Sequence, residues 1–353
     1  MKIAFVTTRP DKASFKFRVV QYLPYMEQAG LQYDVLILPR DVWSRRRFFS
    51  QLGTYDVIFW QKRLLGRLDL WDLRRNSRYL IYDFDDSVMY NDAKDGHFDS
   101  HRLIRRFRKM VETADRVIAG NEFLEEQAKR YANEEKIVRI PSIVDLNVWR
   151  REDFPAQASK DITIGWVGSQ STLPYWSDKL PLWKSISRKY PNVIFKVICD
   201  DTAKTFSAPA YKDFRFQAIE WTEAGQVRDC NKLDIGIMPL PDNPWTRGKC
   251  GFKLIQYLSL GKAAVASPTG VNSKIILHGE TGLLAQTDED WINGLSLLVE
   301  NEEKRLELGH AGYRHVQDNY SLQAWRDRFC RALCDHEAAF IFPLQDYVPQ
   351  ITV

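Results

Sequence analysis

Pro244-Trp-Thr-Arg-Gly-Lys-Cys-Gly-Phe-Lys-Leu-Ile-Gln-Tyr-Leu-Ser-Leu-Gly-Lys-Ala-Ala-Val-Ala-Ser-Pro-Thr-Gly270 is the stretch on which the reading of the fold turns. A glycine-bearing loop runs into an apolar helix expected over Lys253–Leu260, with its start near Phe252. Gly261 stops that helix, and a short strand over Ala263–Ser267 follows. Such a helix start offers unpaired backbone N–H groups and the positive end of a dipole. Gly251 lets a ligand approach the backbone, and Arg247, Lys249 and Lys253 add formal positive charge. Together these features suit a diphosphate. A plain loop and helix carrying solvated lysines is the alternative.

Outward from this stretch, short apolar runs alternate with helical patterns along the whole chain, the helices expected at Arg18–Gly30, Arg102–Ala114, Glu122–Tyr131, Asp178–Lys189, Asp288–Glu300, Glu302–Asp318 and Leu322–Cys334. Strands are expected at Lys2–Thr8, Tyr33–Pro39, Asp56–Gln61, Tyr79–Tyr82, Arg116–Gly120 and Lys136–Ile140. The pattern then restarts at Asp161–Val167, Val193–Cys199, Phe214–Ala218, Asp234–Pro239, Ala263–Ser267 and Thr281–Ala285. Residues 150–160 between the two series are polar and read as a linker. The expectation is α/β architecture: two Rossmann-like, doubly wound parallel sheets facing a cleft. The units are taken as 1–155 and 160–335, with a tail, 336–353, packing back on the first. Ligands of such sheets bind beyond the carboxyl ends of the strands, so the cleft is the expected active site.

The 353 residues, 44% hydrophobic and 27% charged, exclude disorder and a small disulfide-rich module. Five irregularly spaced cysteines read as reduced thiols, and no run of about 18 apolar residues occurs. A cytoplasmic protein is expected, with the option of lying peripherally on the inner face of a membrane. The net charge of +4 is uneven: about +5 over residues 1–158 and about −1 over the rest. Arg45–Arg47, Arg74, Arg75, Arg78 and the helix Arg102-Leu-Ile-Arg-Arg-Phe-Arg-Lys109 carry the excess. Anionic lipid headgroups are one partner for that charge, nucleic acid a less expected one, and a solvated helix face the alternative to both.

Gln256-Tyr-Leu-Ser-Leu-Gly-Lys-Ala-Ala-Val-Ala-Ser267, Gly270 and His278-Gly-Glu-Thr-Gly-Leu-Leu284 resemble the nucleotide-sugar domain of the family-4 (group 1) retaining glycosyltransferases. In the first half, Ala114-Asp-Arg-Val-Ile-Ala-Gly-Asn121 resembles that family's strand before the domain linker. The resemblance implies the GT-B fold and a nucleoside-diphosphate sugar as donor substrate. It also implies transfer with retention, with no metal ion and no separate cofactor, to a glycan or lipid-linked acceptor. The family's two glutamates, eight positions apart, fall on Gly248 and Gln256 here. Gln256 retains the means to hold a ribose diol; Gly248 has no side chain to hold the sugar. The basic pair usual after the first strand of the second unit is replaced by Gly168-Ser-Gln-Ser-Thr172, so phosphate charge is assigned to Lys253 with Lys249 or Arg247. Gly168, Ser169, Trp221, Gly251 and Phe252 complete the expected donor site. Ser169 reads equally well as a helix cap, and Trp221 as a surface aromatic.

Asp83-Phe-Asp-Asp86 closes an apolar strand. It resembles a metal-binding Asp-x-Asp, and also the first motif of haloacid-dehalogenase phosphatases. The favoured reading places Asp85 and Asp86 at the cleft, orienting an acceptor hydroxyl or stabilising positive charge on the sugar; capping carboxylates are the alternative. Arg18 is expected either to meet a phosphate or to be ordinary surface charge. A nucleotide-sugar or glycan-binding protein without activity, and a phosphatase using Asp83 and Asp85, stand as competing functions.

Overall fold

Short apolar runs, buried on both faces, build two parallel sheets in the computed structural model, which describes residues 1–93, 96–151, 161–206, 211 and 213–334. The first unit opens with β1 (Lys2–Thr7), α1 (Ala13–Arg18), α2 (Leu23–Gln28), β2 (Gln32–Ile37) and α3 (Val42–Leu52). It continues with β3 (Val57–Gln61), α4 (Arg67–Arg75), β4 (Tyr79–Phe84), α5 (His101–Thr113), β5 (Arg116–Ala119), α6 (Glu122–Lys129) and β6 (Ile137–Arg139). The second unit opens with β7 (Ile162–Val167), α7 (Leu173–Ser177), α8 (Leu180–Lys189), β8 (Val193–Cys199), α9 (Thr202–Thr205), β9 (Phe216–Glu220) and α10 (Gln226–Asn231). Then come β10 (Ile235–Met238), α11 (Phe252–Ser259), β11 (Ala263–Ala266), α12 (Asn272–Ile275), β12 (Leu283–Leu284), α13 (Asp288–Glu300), α14 (Glu302–Asn319) and α15 (Leu322–Cys334).

The strand orders are β2-β1-β3-β4-β5-β6 and β12-β11-β10-β7-β8-β9. Every pairing is parallel, as βα alternation demands. Each sheet reverses direction of winding beside its first strand, β1 or β7, and such a reversal opens a crevice at the strand ends. In the first unit α3–α6 cover one sheet face through Phe49, Leu73, Phe107 and Leu124. Phe15, Met26 and residues of α15 cover the other.

Six helices lie outside those expected from the sequence: α3, α4, α7, α9, α10 and α12. The helical segment expected over Arg18–Gly30 starts earlier, at Ala13, and breaks around Val19, whose backbone leaves helical geometry. The expected linker is undescribed over 152–160, and the tail 336–353 also lies outside the described residues. α15, although it sits in the stretch assigned to the second unit, packs on the first. Phe329 stacks on Tyr22 with ring centroids 4.0 Å apart, and the Tyr25 hydroxyl donates to Asp327 at 2.5 Å. The chain therefore crosses between the units twice, and the crossings are tied together. Val144 N–H donates to Tyr320 at 3.0 Å, and Leu322 N–H to Val144 at 2.8 Å.

Candidate functional site

The glycine loop places α11 with its start at the seam between the units. Gly251 caps the helix in the left-handed region at φ +64°, where a Cβ would run into Ile275. Having no side chain, Gly251 caps only through its carbonyl, which accepts from Leu254 at 2.9 Å, so the N–H groups of Phe252 and Lys253 stay open to an acceptor. Lys253 follows in the first turn. Its ammonium sits over the Trp166 ring, 5.4 Å from the centroid, and among the described residues it has no carboxylate partner. Burial, with Lys249 adding repulsion, pushes its pKa down to about 8. One turn on, Gln256 is 5% exposed, and its amide makes no hydrogen bond with a described side chain or backbone group. Residues three apart share a helix face, so Lys253 and Gln256 present unused donors side by side. Phe252 points the other way, into the seam, against Phe17 of the first unit with centroids 3.8 Å apart.

Across the seam stands the acidic turn after β4. Asp83 is fully buried, and both its oxygens are engaged by Arg18, whose guanidinium also donates to the carbonyl of Ile140. Arg18 is thus an internal strut, buried rather than ordinary surface charge, with its guanidinium spent on Asp83 and Ile140. Asp85 accepts from Ser14 at 2.8 Å and pairs with Lys62 at 2.9 Å. Asp86 lies between Lys62 and Lys249, the latter 3.0 Å away in the second unit. Burial would raise the Asp86 carboxyl, but Lys249 and Lys62 outweigh it and hold the group well below the usual carboxylate range. Lys62 was not singled out in the sequence. It follows β3 with φ +57°, a conformation rare for a side-chain-bearing residue, and such strain collects at functional sites. A lone lysine after an apolar strand carries no signal of this; only the register that sets Gln61 beside Asp83 reveals it.

The two units are stitched directly beside this charge row. The Ser87 hydroxyl donates to the Pro244 carbonyl at 2.8 Å, and the Asn121 amide to Lys249 at 3.0 Å. The Cys250 thiol donates to the Asp85 carbonyl at 3.3 Å. Gly248 is the tightest point: a Cβ there would collide with the Ser87 hydroxyl and come within 2.8 Å of its backbone nitrogen. No side chain, glutamate included, fits at that position in this arrangement.

The remaining expected residues are dispersed. Arg247 forms a two-pronged pair with Asp242 at 2.7 and 2.8 Å, and lies near the surface. Lys249 is committed to Asp86 and stacks over Trp245, 4.8 Å from the ring centroid. The cations expected to assist Lys253 are therefore already matched. Gly168 leaves room for the Trp166 ring, which a Cβ would strike. Ser169 is exposed, bonded to Ser171 at 2.9 Å, while its N–H meets Thr172 at 3.3 Å, an arrangement that closes a turn before α7. Trp221 is half-buried beside the α11 core cluster. Its neighbour Glu220 accepts from the backbone of Asp201 and Thr202, both at 2.9 Å. Tyr175 adjoins Trp245; burial, followed by the nearby Asp92, raises its hydroxyl to about 12, so it remains a neutral donor. Among the described residues no group of three or more metal-type side chains is gathered.

No known family model matches the chain, and no curated protein matches it in sequence. Solved structures do match it over nearly its whole length. HepE of Anabaena, in complex with UDP and glucose, is 14% identical with a TM-score of 0.71, over 94% of this chain and 99% of that one. Sucrose-phosphate synthase of Thermosynechococcus elongatus is 14% identical with a TM-score of 0.73, over 96% and 100%. A glycosyltransferase of Rickettsia africae is 12% identical with a TM-score of 0.75, over 96% and 99%. At such identity the likeness establishes architecture. Two six-stranded parallel sheets wound in these orders, and their match to these structures, make the chain a GT-B fold protein.

Proposed function

We propose that the chain transfers a glycosyl group from a nucleoside-diphosphate sugar to an acceptor hydroxyl, with the diphosphate seated at the start of α11. The carrying observation is Lys253: a half-buried ammonium without a carboxylate counter-ion, at a helix start that Gly251 leaves without a side-chain cap. A protein rarely buries an unpaired charge unless a ligand completes it. Gln256, equally without a partner, suits the ribose diol one turn deeper. The UDP and UDP-glucose complexes of HepE support a donor of this class.

Breaking the bond between the anomeric carbon and the diphosphate oxygen builds negative charge on the leaving group and positive charge on the ring. The Lys253 ammonium and the amides of Phe252 and Lys253 are fixed donors for the leaving diphosphate, so their stabilisation grows as the bond breaks. In this reading they supply the charge that a metal ion would otherwise supply. Retention follows if the departing phosphate takes the acceptor proton on the face it leaves. Asp86, kept ionised by two lysines, is unsuited to general acid work; with Asp85 it holds Lys62 and Lys249 at the mouth of the site. The acceptor is a glycan or lipid-linked hydroxyl at the first unit.

A second reading, a protein that binds the nucleotide sugar without transferring it, is favoured by Gly248, where no sugar-holding side chain fits. The phosphatase reading loses its nucleophile, because Asp83 is sealed against Arg18. Thermal melts with UDP, GDP, ADP and dTDP test the site, since a ligand of the native state raises the melting temperature. Transfer or hydrolysis with the matching nucleotide sugars then separates enzyme from binder. A flat response to all four nucleotides overturns both.

A further inference from the structure

The four most exposed large apolar side chains among the described residues are Trp43 (80%), Leu68 (74%), Val42 (61%) and Trp71 (58%). All four belong to α3 and α4, which lie side by side on the first sheet and are joined by Arg45 and Asp69 at 2.9 Å. α5 flanks them, with Arg106 reaching Gly66 at the start of α4. Arginines surround the apolar residues: Arg46 lies over Trp43, 6.0 Å from its centroid, and Arg75 over Trp71 at 5.2 Å. Arg47, Arg67, Arg102 and Arg105 are exposed as well and have no carboxylate partner among the described residues. Of the acids on these three helices, Asp69 pairs with Arg45 and Glu112 with Arg108 and Lys109, which leaves Asp72 as the one unmatched negative charge.

We propose that the α3–α4–α5 face docks on an anionic lipid bilayer, with Trp43, Leu68 and Trp71 entering the headgroup–acyl boundary and the arginines meeting lipid phosphates. Isolated exposed apolar residues are ordinary on protein surfaces, but four of them on two adjacent helices, interspersed with arginines that lack carboxylate partners, are not. Tryptophan and arginine suit that boundary because each joins an apolar or planar body to a polar group. A nucleic acid would satisfy the arginines but offers no apolar layer for Leu68 and Val42.

Topology gives the face its purpose. In βα units each helix begins at the carboxyl end of the strand before it. Trp43, Leu68 and Arg102 occupy the first turns of α3, α4 and α5, so they lie at the same edge of the sheet as Lys62 and Asp86. A bilayer against this face would border the cleft, where a lipid-borne acceptor hydroxyl could enter. Docking itself does not depend on the donor reading; only this use of it does.

Flotation of the full chain with phosphatidylcholine vesicles, with and without phosphatidylglycerol, is the test. Binding is expected with the anionic vesicles and should weaken as salt is added. Combined Trp43→Ser, Leu68→Ser and Trp71→Ser should abolish it. Arg46→Ala, Arg75→Ala and Arg102→Ala should each weaken it about fivefold. These side chains are exposed, so the melting temperature and its response to nucleotide should be unchanged, which shows that the variants are folded. Quenching of tryptophan emission by brominated acyl chains should appear in the wild type and fall in Trp43→Phe, Trp71→Phe. Absence of flotation at low salt, flotation indifferent to the triple variant, or the same residues driving self-association or DNA binding instead would each overturn the proposal. Failed flotation with an intact nucleotide response sinks docking alone, and the reverse result sinks only the donor site.

Discussion

The acidic turn after β4 and the glycine loop before α11 face each other across the seam, and they treat charge in opposite ways. In the turn every carboxylate is answered: Asp83 by Arg18, Asp85 by Lys62, Asp86 by Lys62 and Lys249. On the helix that follows the loop, Lys253 has only the Trp166 ring, and no carboxylate among the described residues, while the Gln256 amide has no partner among them. Matched charge of the first kind holds the architecture, whereas unmatched buried charge of the second kind is destabilising unless a ligand arrives. The contrast separates the residues that build the site from those that use it.

The largest effect should come from breaking a matched pair. Arg18→Ala leaves the Asp83 carboxylate buried alone and should lower stability by about 3–5 kcal/mol in denaturant unfolding. A mild effect would mean the turn is less dependent on pairing than the contrast requires. Next comes the unmatched member. Lys253→Met should remove the nucleotide-induced rise in melting temperature and slow transfer by about 100-fold, the scale of losing one charge-stabilising donor. The same variant should melt higher than the wild type without ligand, because it deletes a buried charge that at neutral pH costs roughly 3 kcal/mol. Loss of both binding and stability would place Lys253 with the structural residues.

The pH dependence sharpens the point. The Lys253 pKa of about 8 in the folded protein lies below its ordinary value of 10.5. Below about 8 both folded and unfolded chains hold the proton, and this group gives stability no slope. Between the two values the unfolded chain holds more protons, so stability without ligand should rise with pH over that window. Nucleotide binding needs the ammonium, so affinity should fall above pH 8, by about tenfold per unit, in calorimetric titrations. Lys253→Arg should flatten that fall. Smallest of all, Gln256→Ala should weaken nucleoside diphosphates by roughly 0.5–1.5 kcal/mol while leaving inorganic pyrophosphate unaffected, because the amide is assigned to the ribose.

The parallel sheets were legible because their strands are continuous apolar runs, and the α11 loop because glycines and lysines cluster there in sequence. α3 and α4 were not, and for a physical reason. Helix periodicity is read from apolar residues facing a core, yet Val42, Trp43, Leu68 and Trp71 face solvent and blur the stripe made by Phe48, Phe49, Leu70 and Leu73. Lys249 and Arg247 looked like phosphate ligands because sequence shows a cation but not the acid folded against it. Asp86 and Asp242, the former 163 positions away from Lys249, cancel them. Lys62 stayed hidden for the mirror reason: its role depends wholly on β3 lying beside β4.

α15 closes the core of the first unit with residues made after the whole second sheet. A chain ending before Leu322 would leave Tyr22 and Phe59 without the Phe329 ring that covers them. The amino-terminal half is therefore not a separable fragment, and it cannot finish folding on a ribosome until the other half has already emerged. Since the two crossings at Val144 and Tyr320–Leu322 are bonded to each other, any swing of one unit against the other pivots about that paired strand of chain, and heat should melt both units in a single step.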